Sequence, residues 1–105
     1  MIHHTMIVSF DEPIPDAELD QYLGDIEKVM RATGALTSFS AQRHIRVPAD
    51  DHSPVFAATA IVQIGVTDLD ALNASFAAPG IEEVIERWQA RRPYKVVWAN
   101  HAPLS

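Results

Sequence analysis

The order in which two hydrophobic periodicities follow each other along the chain is the feature that most constrains its fold. Apolar and β-branched runs bounded by turn-forming residues predict strands, and apolar residues at helical spacing predict helices. The predicted strands cover residues 2–10, 35–47, 55–65 and 94–100, and helical spacing follows the first and the third of them. The order β-α-β-β-α-β predicts an α+β domain of the ferredoxin-like kind, with helices on one face of a four-stranded antiparallel sheet.

Capping and helix-breaking residues set the expected ends of the helices. The first helix is predicted to begin with Asp16 as its cap and to end at Gly34. The second is predicted to begin at a capping box formed by Thr67 and Asp70. The stretch "AAPG" interrupts that helix because Pro79 cannot continue the hydrogen-bond ladder. We expect this break to gate a pocket.

Length, charge and cysteine content exclude several classes of protein. The 105 residues are expected to form a single domain, residues 1–105. A net charge of −6 repels phosphate backbones, so we expect no nucleic-acid partner. The absence of cysteine excludes disulfides, thiolate nucleophiles and cysteine metal sites. No apolar run approaches the roughly 20 residues of a membrane span, so we expect a cytoplasmic protein without membrane contact.

The sheet face without helices is expected to carry apolar surface. Alternation along the first strand places His4, Met6 and Val8 on one side and His3 and Ile7 on the other, and neither side is wholly polar. Exposed apolar patches of several hundred Å² usually mark interfaces. The sequence therefore predicts a homodimer, sheet face against sheet face. His3, which points away from His4, is expected at this interface or in solvent.

The chain also resembles a known family. The stretches "HTMIVSF" at the start, an acidic–proline turn before the first helix, "AAPGIEEV" at the helix break and "WQARRPYKVVWAN" at the end are similar to the stress-responsive dimeric α/β-barrel (Dabb) family. This resemblance implies a dimeric α/β barrel that binds a small hydrophobic metabolite between sheet and helices. It also implies chemistry without a cofactor.

The family includes the plant olivetolic acid cyclase, which closes a polyketide by aldol condensation. In such cyclases a histidine and alternating apolar residues of the first strand line the pocket, and His4, Met6 and Val8 match them here. The broken helix of those enzymes reads approximately Tyr-x-x-His-Pro-x-His. The same stretch here keeps Pro79 but has serine, alanine and isoleucine in place of the tyrosine and the two histidines. The scaffold is therefore expected to carry over, and the aldol mechanism is not.

His4 is the first candidate for a catalytic residue. Imidazole is suited to proton transfer near neutral pH, and burial in an apolar cavity is expected to keep it mainly neutral and available as a base. The alternative is a structural histidine that is hydrogen-bonded to a carbonyl or to water. Tyr22 and Ser75 are the nearest candidates for the acid. The residues expected to line the pocket are Met6, Val8, Leu23, Ile26, Phe76, Ile81 and Trp88.

Two polar stretches admit a functional and a structural interpretation. His44, flanked by Arg43 and Arg46, has the charge to bind an acidic group, but a polar strand face at the rim of the dimer is favoured. The "DDH" at residues 50–52 contains metal-ligand types, but clustered carboxylates in a loop are ordinarily solvated. We expect neither a metal nor a cofactor. Core or interface packing is the favoured interpretation of Trp88 and Trp98.

Three classes of function remain open. The first is a cofactor-independent enzyme of the cyclase, lyase or isomerase type that acts on a small hydrophobic carbonyl or aromatic metabolite, with His4 as acid or base. The second is a ligand-binding or stress-associated barrel without catalysis. The third is a cofactor-free monooxygenase. A ligand in contact with His4 favours the first, an inert apolar pocket the second, and oxygen consumption with a quinol the third.

Overall fold

The predicted strands form one antiparallel sheet. In the computed structural model, which describes residues 1–53 and 57–105, the strands are β1 (Ile2–Phe10), β2 (Ser38–Arg43), β3 (Ala60–Val66) and β4 (Tyr94–His101). Their order across the sheet is β2-β3-β1-β4, and each strand is antiparallel to its neighbours. The ferredoxin-like α+β fold is confirmed. β3 occupies an inner position, as its largely apolar sequence predicts.

Three helices in the described part of the chain cover one face of this sheet. They are α1 (Asp16–Arg31), α2 (Leu69–Phe76) and α3 (Ile81–Arg91). Their apolar sides meet the even-numbered residues of β1 and β3, and the core includes Val8, Val62, Ile64, Leu19, Ile26, Leu72 and Trp88. No helix among the described residues combines the length and the apolar character needed to cross a membrane.

The second and third strands along the chain, β2 and β3, are shorter than predicted. β2 ends at Arg43 rather than at residue 47, and a 3-10 helix, Pro48–His52, follows where a loop was expected. β3 begins at Ala60; the predicted start at residue 55 lies outside the described residues, and residues 57–59 are not in a strand. The Thr59 hydroxyl accepts a hydrogen bond from the backbone N–H of Phe10 at 2.9 Å. This side chain takes the place of a backbone carbonyl, so the ladder between β1 and β3 ends there.

The caps of α1 and α2 each differ from the prediction by one residue. The cap of α2 is Asp68, whose carboxylate accepts a hydrogen bond from the N–H of Ala71, and not Thr67. Aspartate is the stronger cap, and its negative charge also suits the helix N-terminus. Asp16 is the first residue inside α1 and makes no capping hydrogen bond. α1 ends at Arg31, and Gly34 follows with a φ of 73°.

The expected break in the second helix is confirmed. α2 stops at Phe76 and α3 restarts at Ile81, and Pro79 lies between them. Gly80 immediately precedes α3 with a φ of 86°, in the left-handed region that side chains disfavour. The gating function of the segment stays a prediction.

The helix-free face of the sheet has an apolar row across three strands. Ile7 of β1 is paired with Ile61 of β3 on one side and with Val97 of β4 on the other. Ile61 is 43% exposed and Val97 is 53% exposed. Below this row, Gln63 donates a hydrogen bond to the Thr5 hydroxyl. The face is therefore mixed, with apolar side chains concentrated in the row of Ile61, Ile7 and Val97.

Candidate functional site

A cavity of about 240 Å³ lies between the sheet and helices α1 and α3. Its walls are mostly apolar and aromatic, which is typical of small-molecule sites. The sheet contributes residues from β1, β3 and β4, and the end of α2 closes one side. The lining residues are Met6, Tyr22, Ile26, Met30, Val62, Ser75, Phe76, Ile81, Glu82, Ile85, Gln89, Tyr94, Val96 and Trp98.

The residues predicted for the pocket lie in two different environments in the structure. Of the seven predicted pocket residues, Met6, Ile26, Phe76 and Ile81 line the cavity. Val8 is fully buried in the core instead, and Leu23 packs against the outside of the core. Trp88 is also a core residue: its indole N–H donates to the Asp25 carboxylate at 2.9 Å. A helical period defines a buried face, but it does not say which buried residues border empty space.

His4 lies behind the cavity wall. Its side chain is on the helix side of the sheet and is fully buried, as predicted, but it is not among the lining residues. The rings of Phe76 and Trp98 stand between it and the cavity, with centroids 4.8 and 5.5 Å from the imidazole. In this structure these two rings separate His4 from the cavity that Met6 lines, and a role of His4 in a ligand site stays a prediction.

The hydrogen bond to Asn100 defines which nitrogen of His4 is protonated. Nδ1 lies 2.6 Å from the Asn100 side-chain oxygen, which only accepts, so Nδ1 carries the proton. Nε2 of the neutral ring is then a bare acceptor, and it is buried without a partner among the described residues. Burial lowers the pKa of His4, the bond to Asn100 opposes this, and His101 lowers it slightly further. The ring is neutral at pH 7 and has the form of a base.

Phe76 and Trp98 form the wall between His4 and the cavity. Their rings are stacked with an interplanar angle of 6° and centroids 5.7 Å apart. Phe76 is the last residue of α2, next to the helix break. Trp98 belongs to the edge strand β4 and is 60% exposed. The Trp98 side of this wall is therefore exposed to solvent rather than packed in the core.

The two predicted acids both line the cavity, but their hydroxyl groups are occupied. Ser75 is fully buried and donates to the carbonyl of Leu72 at 2.7 Å. Tyr22 is hydrogen-bonded to Tyr94, and burial first, then this bond, raises the pKa of Tyr22. Tyr22 therefore keeps its proton throughout the ordinary pH range.

Two polar lining residues, Glu82 and Gln89, are not among the residues predicted for the pocket, because only apolar side chains were expected there. They lie three and four residues from Ile85, which is helical spacing for a single face, so a signal was present. Gln89 clamps the start of β4, since its amide donates to the carbonyl of Tyr94 and accepts from the N–H of the same residue. Asn100 had no signal, because its pairing with His4 depends on the register of β1 and β4.

Basic side chains that follow β2 pair with carboxylates of the 3-10 helix. His44 Nε2 lies 2.7 Å from a carboxylate oxygen of Asp50, and Arg46 forms an ion pair with Asp51. The bond from His44 holds the pKa of Asp50 below its ordinary value. No group of three or more side chains suited to a metal occurs among residues 1–53 and 57–105. The binding of an acidic group at His44 has no support in this arrangement.

Solved structures with the same fold are numerous, although no protein-family model and no curated protein sequence matches this chain. An Arabidopsis thaliana protein has a TM-score of 0.77 at 14% identity, over 100% of this chain and 97% of its own. A Dabb family protein with a ferredoxin-like fold from Mesorhizobium loti has a TM-score of 0.73 at 19% identity, over 99% and 97%. A dimeric ferredoxin-like protein from Thermobifida fusca has 0.73 at 13%, over 97% and 90%.

Two further structures of this fold are enzymes. Hydroxynitrile lyase from Passiflora edulis has a TM-score of 0.73 at 12% identity, over 99% of this chain and 94% of its own. SnoaB, a cofactor-independent oxygenase from Streptomyces nogalater, has 0.70 at 12%, over 99% and 93%. At these identities the likeness shows the fold alone. The resemblance to Dabb proteins that the sequence indicates is confirmed at that level.

Proposed function

We propose that this protein is a homodimeric α/β barrel that binds a small hydrophobic carbonyl or aromatic metabolite and transforms it by cofactor-independent acid–base chemistry of the cyclase, lyase or isomerase type. His4 is the base in this proposal. The observation that carries it is a bare, buried imidazole nitrogen next to an apolar cavity of about 240 Å³. Buried polar atoms without partners are rare in folded proteins, and a catalytic role is one of the explanations for them.

The hydrogen bond from His4 to Asn100 supports the role of a base. It holds the ring in the tautomer whose Nε2 accepts a proton, and the depressed pKa keeps that nitrogen free at neutral pH. The charged ring that forms during proton abstraction keeps its bond to the Asn100 oxygen. Asn100 thereby orients the base in the same way as the acceptor partner of other catalytic histidines.

A ligand reaches Nε2 in this proposal only when the wall of Phe76 and Trp98 opens. Trp98 is the moving element, because it lies on an edge strand and most of its surface is in solvent. Rotation of the indole away from Phe76 joins the space around His4 to the cavity. The break between α2 and α3, next to Phe76, is the second point of opening.

The two enzymes of the same fold each favour a different class. The lyase supports a reaction of the lyase type, and the oxygenase, which is cofactor-independent, keeps a cofactor-free monooxygenase as the second candidate. A ligand-binding or stress-associated barrel without catalysis is the third. Location in the cytoplasm is part of the proposal as well, on the sequence argument alone.

Native mass spectrometry against a library of aromatic ketones, aldehydes and quinols tests the proposal, followed by turnover assays on the compounds that bind. We expect His4→Ala to lower turnover by roughly 10²-fold or more while the ligand is still bound. His52→Ala is the matched control, since His52 is exposed in the 3-10 helix. Full turnover in His4→Ala excludes His4 as the base. Oxygen uptake with a quinol favours the oxygenase, and binding without any turnover favours the non-catalytic barrel.

A further inference from the structure

We infer that Glu82 makes this cavity selective for charge: it accepts a neutral or cationic aromatic ligand of about ten carbon atoms that donates a hydrogen bond, and it excludes carboxylates. This rests on the proposed function, in that the cavity is taken to be the ligand site. Glu82 lines the cavity and is exposed, so its carboxylate lies at the mouth.

The size of the ligand follows from the volume of the cavity. An apolar cavity of about 150 Å³ in an engineered protein binds benzene. The cavity here, of about 240 Å³, has about 1.6 times that volume. A fused bicycle, or one ring with a short substituent, fills such a space. The aromatic side chains of Tyr22, Phe76, Tyr94 and Trp98 in its walls favour a flat ligand.

Among the lining residues, Glu82 is the one charged side chain, and it has no hydrogen-bonding or ion-pair partner in the described structure; the indole N–H of Trp98 is likewise unpaired. The amide of Gln89 is used at both ends by the backbone of Tyr94. The hydroxyl of Ser75 donates to Leu72, and Tyr22 is bonded to Tyr94. The carboxylate of Glu82 takes part in none of the ion pairs or hydrogen bonds of the described residues. It is therefore the group that a donor on the ligand meets at the mouth.

No basic residue among the lining residues offsets the negative charge of Glu82. The nearest arginines of α3 are engaged elsewhere: Arg87 pairs with Asp25, and Arg91 pairs with Glu18. Glu83, the other carboxylate in the first turn of the helix, does not line the cavity. A carboxylate ligand at this mouth is repelled, whereas a hydroxyl or an ammonium group on the same carbon skeleton is attracted.

Calorimetric titration with three naphthalene probes tests the inference. The probes are 2-naphthalenemethanol, 2-naphthylmethylamine and 2-naphthoate, which share one ring system and differ in charge. We expect the alcohol and the amine to bind roughly tenfold or more tightly than the carboxylate at low salt, and the difference to shrink at 1 M salt because exposed charges are screened.

Two variants separate the role of Glu82 from the general charge of the helix. Glu82→Gln is expected to bring the three affinities to within about threefold of each other. Glu83→Gln is the matched control: it removes the same charge from the same turn, but Glu83 does not line the cavity, and the discrimination should remain. Equal binding of the alcohol and the carboxylate to the unmodified protein, or unchanged discrimination in Glu82→Gln, overturns the inference and leaves the ligand site standing. If none of the probes binds, this inference fails, and the library screen by native mass spectrometry decides the proposed function separately.

Discussion

At the scale of single residues, the arrangement around His4 differs from that of an ordinary core histidine. One ring nitrogen is held by Asn100, the other has no partner among the described residues, and two aromatic rings cover it. Burial of an uncompensated polar atom lowers the free energy of unfolding. The position therefore costs stability, and this cost is consistent with a role in function.

The depressed pKa of His4 predicts a specific pH dependence of stability. The unfolded chain takes up a proton near pH 6.5, and the folded chain does so only at lower pH, so stability falls as the pH drops below 6.5. The contribution of one such group is at most about 1.4 kcal/mol per pH unit. His4→Asn, which keeps a donor near Nδ1, should flatten the dependence between pH 7.5 and 5.5 in urea unfolding. His52→Asn should leave it unchanged; parallel curves for the native chain and His4→Asn would contradict the prediction.

The cover over His4 predicts how fast its ring reacts with a reagent. Diethyl pyrocarbonate modifies unprotonated imidazole nitrogens, and Nε2 of His4 is buried behind Phe76 and Trp98. Trp98→Ala should raise the rate of modification at His4 by about tenfold or more, measured by peptide mass spectrometry, since the outer part of the wall is removed. The exposed His52 serves as an internal standard in both proteins. An unchanged rate at His4 would show that Trp98 does not control access.

At the scale of elements, the break between α2 and α3 is held by backbone conformation. Gly80 has a φ of 86°, and a Cβ there would meet Val29 at 3.7 Å, an ordinary contact. The obstacle to a side chain is therefore the left-handed backbone and not the available space. Pro79 next to it prevents the two helices from joining. Together these two residues keep the end of α2 separate from α3, and this separation leaves Phe76 at a helix end beside the cavity.

Replacement of Gly80 measures the cost of this turn. Gly80→Ala should lower the free energy of unfolding by about 1–2 kcal/mol, because an alanine in the left-handed region is strained. Gly24→Ala is the matched control, since Gly24 lies inside α1 with nothing within 4 Å of a Cβ, and it should stabilise by roughly 0.5–1 kcal/mol. Denaturant unfolding with far-ultraviolet circular dichroism gives both values. Two changes of the same sign would contradict this account of the turn.

At the scale of the whole molecule, the open sheet face is the surface that a single copy leaves in water. Ile61, Ile7 and Val97 form an apolar row across it. His3 and His101 are paired on the same face, on the far side of Thr5 from this row, with ring centroids 5.8 Å apart. A second copy packed on this face removes the row from water. The dimer in the proposed function uses this face.

A charge placed in the apolar row should separate the two copies. Val97→Asp puts a carboxylate in the apolar row of the proposed interface in each copy, and its desolvation opposes association. We expect the dimer mass of the native chain in light scattering at micromolar concentration to fall to the monomer mass. Leu69→Asp is the control, because Leu69 is equally apolar and exposed but lies on α2, on the other side of the sheet. A native monomer, or a Val97→Asp dimer, would contradict the sheet-to-sheet arrangement.

The sequence by itself determined the order of the elements, because apolar residues recur every two positions in a strand and every 3.6 positions in a helix. It also determined that His4 and Met6 share one side of β1, and that the chain breaks at Pro79. The tertiary structure alone decided which buried residues border the cavity. Val8 shares an apolar strand face with Met6, and Trp88 shares an apolar helix face with Ile85. Only the packing of the helices on the sheet leaves empty space beside Met6 and Ile85 and none beside Val8 and Trp88. The bond between His4 and Asn100 joins residues 96 positions apart, and it depends on a strand register that no local pattern contains.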